Sequence, residues 1–128
     1  MKNQKCLIFI FSIFLIITLS GCEKKYDISD ESKEKIKEYM DILEGDDYSK
    51  HTSEIFNLID KSKTKDEREA FEKISKSIFY KSKIKAYEAQ MNISSIIGNN
   101  EDNKSKEFYN DSLKKYNELN KELKKMIK

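Results

Sequence analysis

The chain of 128 residues contains no proline and only three glycines. Those two residue types are the strongest interrupters of a helix, so a sequence nearly free of them is committed to long helical runs. Downstream of residue 21 only Gly45 and Gly98 remain, and each stands where an apolar helical pattern stops. A glycine just past a helix adopts the left-handed conformation without a side-chain clash, so both read as terminators. No segment sustains the period-two alternation of a strand between turn signals. The chain is expected to be all-α.

Four helices follow from the spacing. The first is expected from Ser29 or Asp30 to Glu44, with Ile36, Tyr39, Met40 and Leu43 on one face and Asp30 and Glu31 at the positive end of the dipole. The second is expected from Asp47 to Lys61, with Tyr48, Thr52, Ile55, Phe56 and Ile59 sharing a face and Asp46 or Asp47 as cap. Gly45-Asp46-Asp47 makes the turn between them. Thr64-Lys65-Asp66-Glu67 reads as a capping box that opens a third helix ending near Ile97, about 50 Å long. Its apolar residues fall on two stripes, Phe71, Ile74 and Ile78 on one and Tyr80, Ile84, Tyr87 and Met91 on the other, with Ala86, Ala89, Ile93, Ile96 and Ile97 between. A helix apolar on more than one side is surrounded by neighbours. The fourth, after the polar loop Gly98 to Asn103, runs to about Met126 with Tyr109, Leu113, Tyr116, Leu119, Leu123 and Ile127 on its buried face.

These elements predict a small antiparallel bundle of three to four helices around one long central helix, occupying residues 29–128. The long helix does not keep a strict 3.5-residue apolar repeat, which disfavours a simple two-stranded coiled coil. Phe56, Phe71, Phe79 and Phe108 are expected in the core, and the helically spaced tyrosines are expected to bury rings and expose hydroxyls. Phe79 beside Tyr80 and Phe108 beside Tyr109 cannot both face one stripe, so an excess there would form a partner patch.

The N-terminal segment has a different character. Lys2 and Lys5 precede an uncharged apolar run, Leu7 to Leu19, followed by Leu19-Ser20-Gly21-Cys22. At ~1.5 Å per residue the run spans roughly 20 Å, short of the ~30 Å hydrocarbon core, so it reads as a secretory signal rather than a membrane span. The site is not of the A-x-A form. Leu-Ser-Gly-Cys resembles the lipobox of bacterial lipoproteins, over residues 1–22 only. That resemblance implies diacylglycerol on the Cys22 sulfur, cleavage between Gly21 and Cys22, and removal of residues 1–21. Residues 22–28 would then be a lipidated N-terminus and short tether, reaching only about 20 Å when extended and bringing Lys24 and Lys25 to anionic lipid.

With Cys6 in the signal and Cys22 lipidated, no thiol remains for a disulfide or thiolate metal site, so packing alone must hold the body. The net charge of +2 includes Lys2 and Lys5, so the exported side chains balance to neutrality. That balance argues against nucleic acid as a partner, because such binding needs a basic surplus to displace counterions. Charge is nonetheless uneven: residues 23–47 hold ten acids and five lysines, residues 104–128 eight lysines and four acids.

Catalytic chemistry has little to work with. His51 is the sole histidine, with Asp47 and Glu54 on the same side of a helix, an open set that no second histidine or cysteine completes. No Gly-x-Ser-x-Gly turn and no glycine-rich phosphate loop occurs. The carboxylate pairs Asp46-Asp47 and Asp66-Glu67 sit at helix starts, where capping accounts for them. No catalytic residue, cofactor or metal site is therefore assigned. The expectation is a non-enzymatic helical lipoprotein on the extracytoplasmic face of a cell membrane, held by its covalent lipid and binding a membrane-proximal protein or envelope component. A surface protective, immunity or exclusion factor against a toxin or mobile element has the same sequence signature. An envelope enzyme or metal carrier would depend on His51.

Overall fold

The computed structural model describes residues 23–98 and 103–128. They form α1 (Asp30–Glu44), a 3-10 turn (Asp47–His51), α2 (Thr52–Lys61), α3 (Lys65–Ile97) and α4 (Asn103–Met126), with no strand among them. The architecture is a small all-α bundle in which α3 is the long central helix. No helix of the described residues is long and apolar enough to cross a membrane.

Local chemistry sets most boundaries. The Ser29 hydroxyl accepts from the Ser32 N–H at 3.2 Å and caps α1, and the Thr64 hydroxyl accepts from the Glu67 N–H at 3.1 Å and caps α3. Gly98 ends α3 in the left-handed region at φ 72°, with its N–H directed to the Ser95 carbonyl. A Cβ at Gly98 would meet nothing within 4 Å, so Gly98→Ala should cost only the left-handed strain, about 1 kcal/mol. The expected readout is faster amide exchange at the end of α3; unchanged rates would show that the cap carries no strain.

Gly45 departs from the expectation. It is extended, at φ −89° and ψ −164°, because the chain passes directly into the 3-10 turn rather than closing a left-handed cap. The cap expected from Asp46 or Asp47 is also not made. Asp46 pairs with the Lys85 ammonium of α3 and Asp47 with Lys50 at 2.8 Å. An ammonium is a stronger partner for a carboxylate than a neutral backbone N–H.

Helix directions follow from long-range bonds. Ser29, before α1, bonds Glu67 at the start of α3, while the Leu43 carbonyl near the end of α1 accepts from Lys81, so α1 runs parallel to α3. α4 runs antiparallel to α3, since Lys73 meets Glu122 at 2.6 Å and the Tyr109 hydroxyl donates to Glu88 at 3.4 Å. The core gathers Ile28, Ile36, Tyr39 and Leu43 of α1 and the segment before it, Tyr48 of the 3-10 turn, Ile55 of α2, Ala70, Phe71, Ile74 and Ile78 of α3, and Leu123 and Met126 of α4. It lies entirely beside the first half of α3. Lys85, which holds Asp46, marks the far end of the bonds seen between α3 and the α1 side, and α3 and α4 continue past it as a two-helix arm about 18 Å long.

The arm overturns part of the expected core. Phe56, Phe79 and Phe108 are 54%, 54% and 44% exposed, and only Phe71 of that set is buried. Ile93, Ile96 and Ile97, expected to fill between stripes, are also exposed. Two causes operate: Phe56 and Phe79 stand one position past buried Ile55 and Ile78 and so face away from the core, while Ile93, Ile96, Ile97 and Phe108 lie on or beside the second half of α3, past the stretch that α1 and α2 cover.

That neighbour meets α3 along a regular seam. Lys73, Ser77, Tyr80, Ile84, Tyr87, Met91 and Ser94 recur at spacings of four and three and are all buried or half-buried. Ser105, Tyr109, Ser112, Tyr116, Leu119, Leu123 and Met126 do the same on α4. The 3.5-residue repeat is thus present in the geometry. It is hidden in the apolar pattern because serines and a lysine occupy several of its positions.

Glu67 ties two helix starts together. Its Oε1 accepts from the Ser29 N–H at 3.1 Å and the Ser29 hydroxyl at 2.8 Å, and its Oε2 accepts from the Lys63 N–H at 2.9 Å. The residue is only 3% exposed. Burial would by itself raise the carboxyl pKa, but the Ser29 hydroxyl, the Lys63 and Ser29 amides and Ser32 outweigh it and hold the group at about 2. Alongside, the Asp27 N–H donates to Asp66 at 2.8 Å and Thr64 donates to the Asp27 carbonyl at 2.5 Å. With Ile28 buried, the segment expected as a tether is docked from Tyr26 onward.

Candidate functional site

Gly21 and Cys22, the expected cleavage and lipidation residues, lie outside the described residues. Glu23, the next residue, begins the described chain at the end of the bundle where α1 and α3 start and α4 finishes. His51 sits half-exposed at the other end of α1. Its Nδ1 is 3.5 Å from Glu54 Oε2 and its ring stands edge-on to Tyr39, centroids 5.9 Å apart. The Tyr39 hydroxyl and the Glu54 carboxylate stop short of a geometric hydrogen bond, yet burial first and Glu54 second push the phenol up, while Tyr39 and His51 hold Glu54 down. Asp47 turns to Lys50 and does not join His51. Among the described residues no group of three or more His, Cys, Asp or Glu side chains is placed to hold a metal ion.

Two surfaces stand out instead. The first is a groove of about 690 Å³ at the Glu23 end. Lys24 and Lys25 of the N-terminal segment, Lys33 of α1, and Lys125 and Lys128 at the end of the chain line it, with Glu23 the only carboxylate side chain and Tyr26 and Met126 completing the wall. Lys24 lies over the Tyr26 ring at 4.8 Å, and Lys33 donates to the Lys128 main-chain oxygen at 3.3 Å. The two ends of the described chain, residues 23–33 and 125–128, therefore converge here.

The second is the exposed side of the α3–α4 pair, from Phe79 into the arm. Phe79, Ala86, Ile93 and Ile97 recur at spacings of seven and four on one stripe of α3, and all are exposed. Phe79 meets Tyr80 edge-on at 5.3 Å and carries the Lys83 ammonium 4.7 Å above its ring. Across the seam Phe108 stacks on Tyr87, centroids 5.7 Å apart and planes 22° apart, while Lys115 covers Tyr80 at 5.6 Å. Aromatic rings with cations over their faces suit a surface that stays in water until a partner covers it. The adjacency of Phe79 to Tyr80 and of Phe108 to Tyr109 was the sequence signal for this patch. The contribution of Ile93 and Ile97 was masked by their helical spacing, which reads equally well as core.

Comparison of the chain with models of known protein families, with curated proteins and with solved structures finds no match to any of them.

Proposed function

We propose that this chain is an exported lipoprotein, anchored through Cys22 at the outer face of a bacterial membrane, which binds a protein or envelope component through the exposed face of the α3–α4 arm. The observation that carries the binding reading is the apolar stripe Phe79, Ala86, Ile93 and Ile97 with Phe108 beside it. Exposed apolar area gathered on one side of a small domain marks an interaction surface more often than scattered residues do. The geometry of the anchor supports the same reading. α3 starts at the Glu23 end and runs about 50 Å, so a chain tethered there presents the stripe away from its attachment point. The stripe is apolar and carries no charged side chain, which suits a binding module rather than an enzyme.

The test is crosslinking from the membrane-anchored protein. A photoreactive residue at Phe79 or Phe108 should yield a specific product, and one at Glu34 on α1 should not. Replacing Phe79, Ile93 and Ile97 together with alanine should reduce capture about tenfold or more, as for residues at the centre of an interface. Because the three side chains are exposed, each change should alter stability by no more than about 0.5 kcal/mol. Equal crosslinking from both faces, or turnover of a small substrate by the soluble chain, would overturn the reading.

A further inference from the structure

We propose that the lysine groove at the Glu23 end is a binding site for the phosphate of an anionic phospholipid headgroup, acting as a second membrane contact beside the lipid on Cys22. It rests on the lipoprotein reading for its location, and on the groove itself for its chemistry.

The charge distribution is the first argument. Five lysines face one carboxylate side chain in this groove, in a chain whose exported side chains sum to neutrality. Elsewhere on the bundle Lys35, Lys37, Lys50, Lys73, Lys85 and Lys115 each hold a carboxylate while others, such as Lys61, Lys65 and Lys76, hold none among the described residues, so it is the convergence of five lysines that sets the groove apart. None of the five groove lysines has an Asp or Glu carboxylate within ion-pair distance among the described residues, and Lys33 is answered by the Lys128 main-chain oxygen. Gathering unneutralised cations opposes the folded state through mutual repulsion, and a bound anion relieves it.

Helix electrostatics account for only part of the cluster. Lys125 near the end of α4 and Lys128 just beyond it favour the negative end of that helix dipole. Lys33 lies near the start of α1, where the dipole disfavours a cation, and Lys24 and Lys25 lie ahead of α1. Their presence needs a different cause, and a shared anion supplies one.

Position selects the anion. Glu23 lines the groove and directly follows Cys22, so a diacylglycerol on that sulfur sets the groove at the depth of the headgroups. Tyr26, half-buried beneath Lys24, is the kind of side chain that sits at a membrane–water boundary, with an apolar ring and a polar tip. Lysines close to an anionic membrane surface strengthen binding about fivefold each. One lipid modification combined with a polybasic patch is also a general route from reversible to stable attachment.

The experiment uses a chain of residues 23–128, which retains every residue of the buried core, from Ile28 to Met126. A cooperative helical melt establishes that it is folded. Without lipid, it should bind vesicles rich in phosphatidylglycerol, bind phosphatidylcholine vesicles far less, and lose binding steeply as ionic strength rises. Replacing Lys24, Lys33 and Lys125 with glutamine should weaken binding about a hundredfold, and replacing them with arginine should preserve it. A control with Lys76, Lys104 and Lys114 changed to glutamine carries the same charge loss on other surfaces and should bind as the parent does.

Equal losses in the two glutamine variants would reduce the effect to net charge and overturn the site. So would indifference to phosphatidylglycerol, or competition by inorganic phosphate as effective as that by vesicles, which would make it a free-anion site. The lipid on Cys22 is read separately, by intact mass of the membrane-extracted protein. A missing lipid with retained vesicle binding defeats the anchor alone, and the reverse result defeats the groove alone.

Discussion

Cys22→Ala should accumulate as an unprocessed precursor that retains residues 1–21 and carries no lipid. The lipoprotein reading requires this, because the sulfur of Cys22 is the acceptor and cleavage between Gly21 and Cys22 follows its modification. The effect is the largest expected for any single substitution in this chain. Two acyl chains of about 16 carbons at ~0.8 kcal/mol per buried CH₂ contribute on the order of 25 kcal/mol to membrane attachment before entropic losses. Intact mass and gel mobility of the membrane fraction measure it directly. A Cys22→Ala chain still cut between residues 21 and 22, and still held at the membrane, would defeat the reading.

Glu67→Gln should destabilise the folded bundle by about 3 kcal/mol at neutral pH, with a loss that shrinks as the solution is acidified. The carboxylate is buried and receives the Ser29 amide, the Ser29 hydroxyl and the Lys63 amide, so glutamine turns one acceptor into a donor that faces another donor. The sign follows from the two pKa values. In the folded chain the group titrates at about 2, against its ordinary 4.5, so the folded state favours the ionised form. The stabilisation is complete above about pH 4.5 and is lost as pH falls towards 2. The difference between the parent and Glu67→Gln should therefore narrow from about 3 kcal/mol at pH 7 to about 1 kcal/mol at pH 3. Denaturant midpoints at the two pH values check it. A difference independent of pH would show that lost packing, rather than the charge, carries the effect.

The same junction bears on the anchor. Asp27, Ile28 and Ser29 are held to the start of α3 through Asp66, Thr64 and Glu67, so little free chain separates Cys22 from the bundle. Disorder introduced at Glu67 would lengthen that connection as well as lower stability. Glu67→Gln is thus expected to blur the orientation of an anchored chain, whereas the exposed-stripe variants leave it unchanged.

Helix identity and most helix ends were written locally. Ser29 and Thr64 cap α1 and α3 with bonds that span three residues, and Gly98 closes α3 with a bond of the same reach. Such signals depend on neighbours within a single turn, so they are complete before any tertiary contact forms. The same holds for the all-α class, which follows from spacing and the absence of proline. Which apolar residues are covered was not written there. Phe71 and Phe79 are both aromatic residues of α3, yet one is buried and the other half in water, because Phe79 falls outside both the stripe that meets the core and the seam that meets α4. Asp46 abandoned a capping role for an ammonium 39 residues away, and Glu67 extended its capping role to Ser29, 38 residues before it. The lysine groove likewise exists only once residues 24–33 and 125–128 are brought together. Local bonding and periodicity determined the helices; the lengths over which they overlap, known only when they pack, decided which side chains became core, junction or surface.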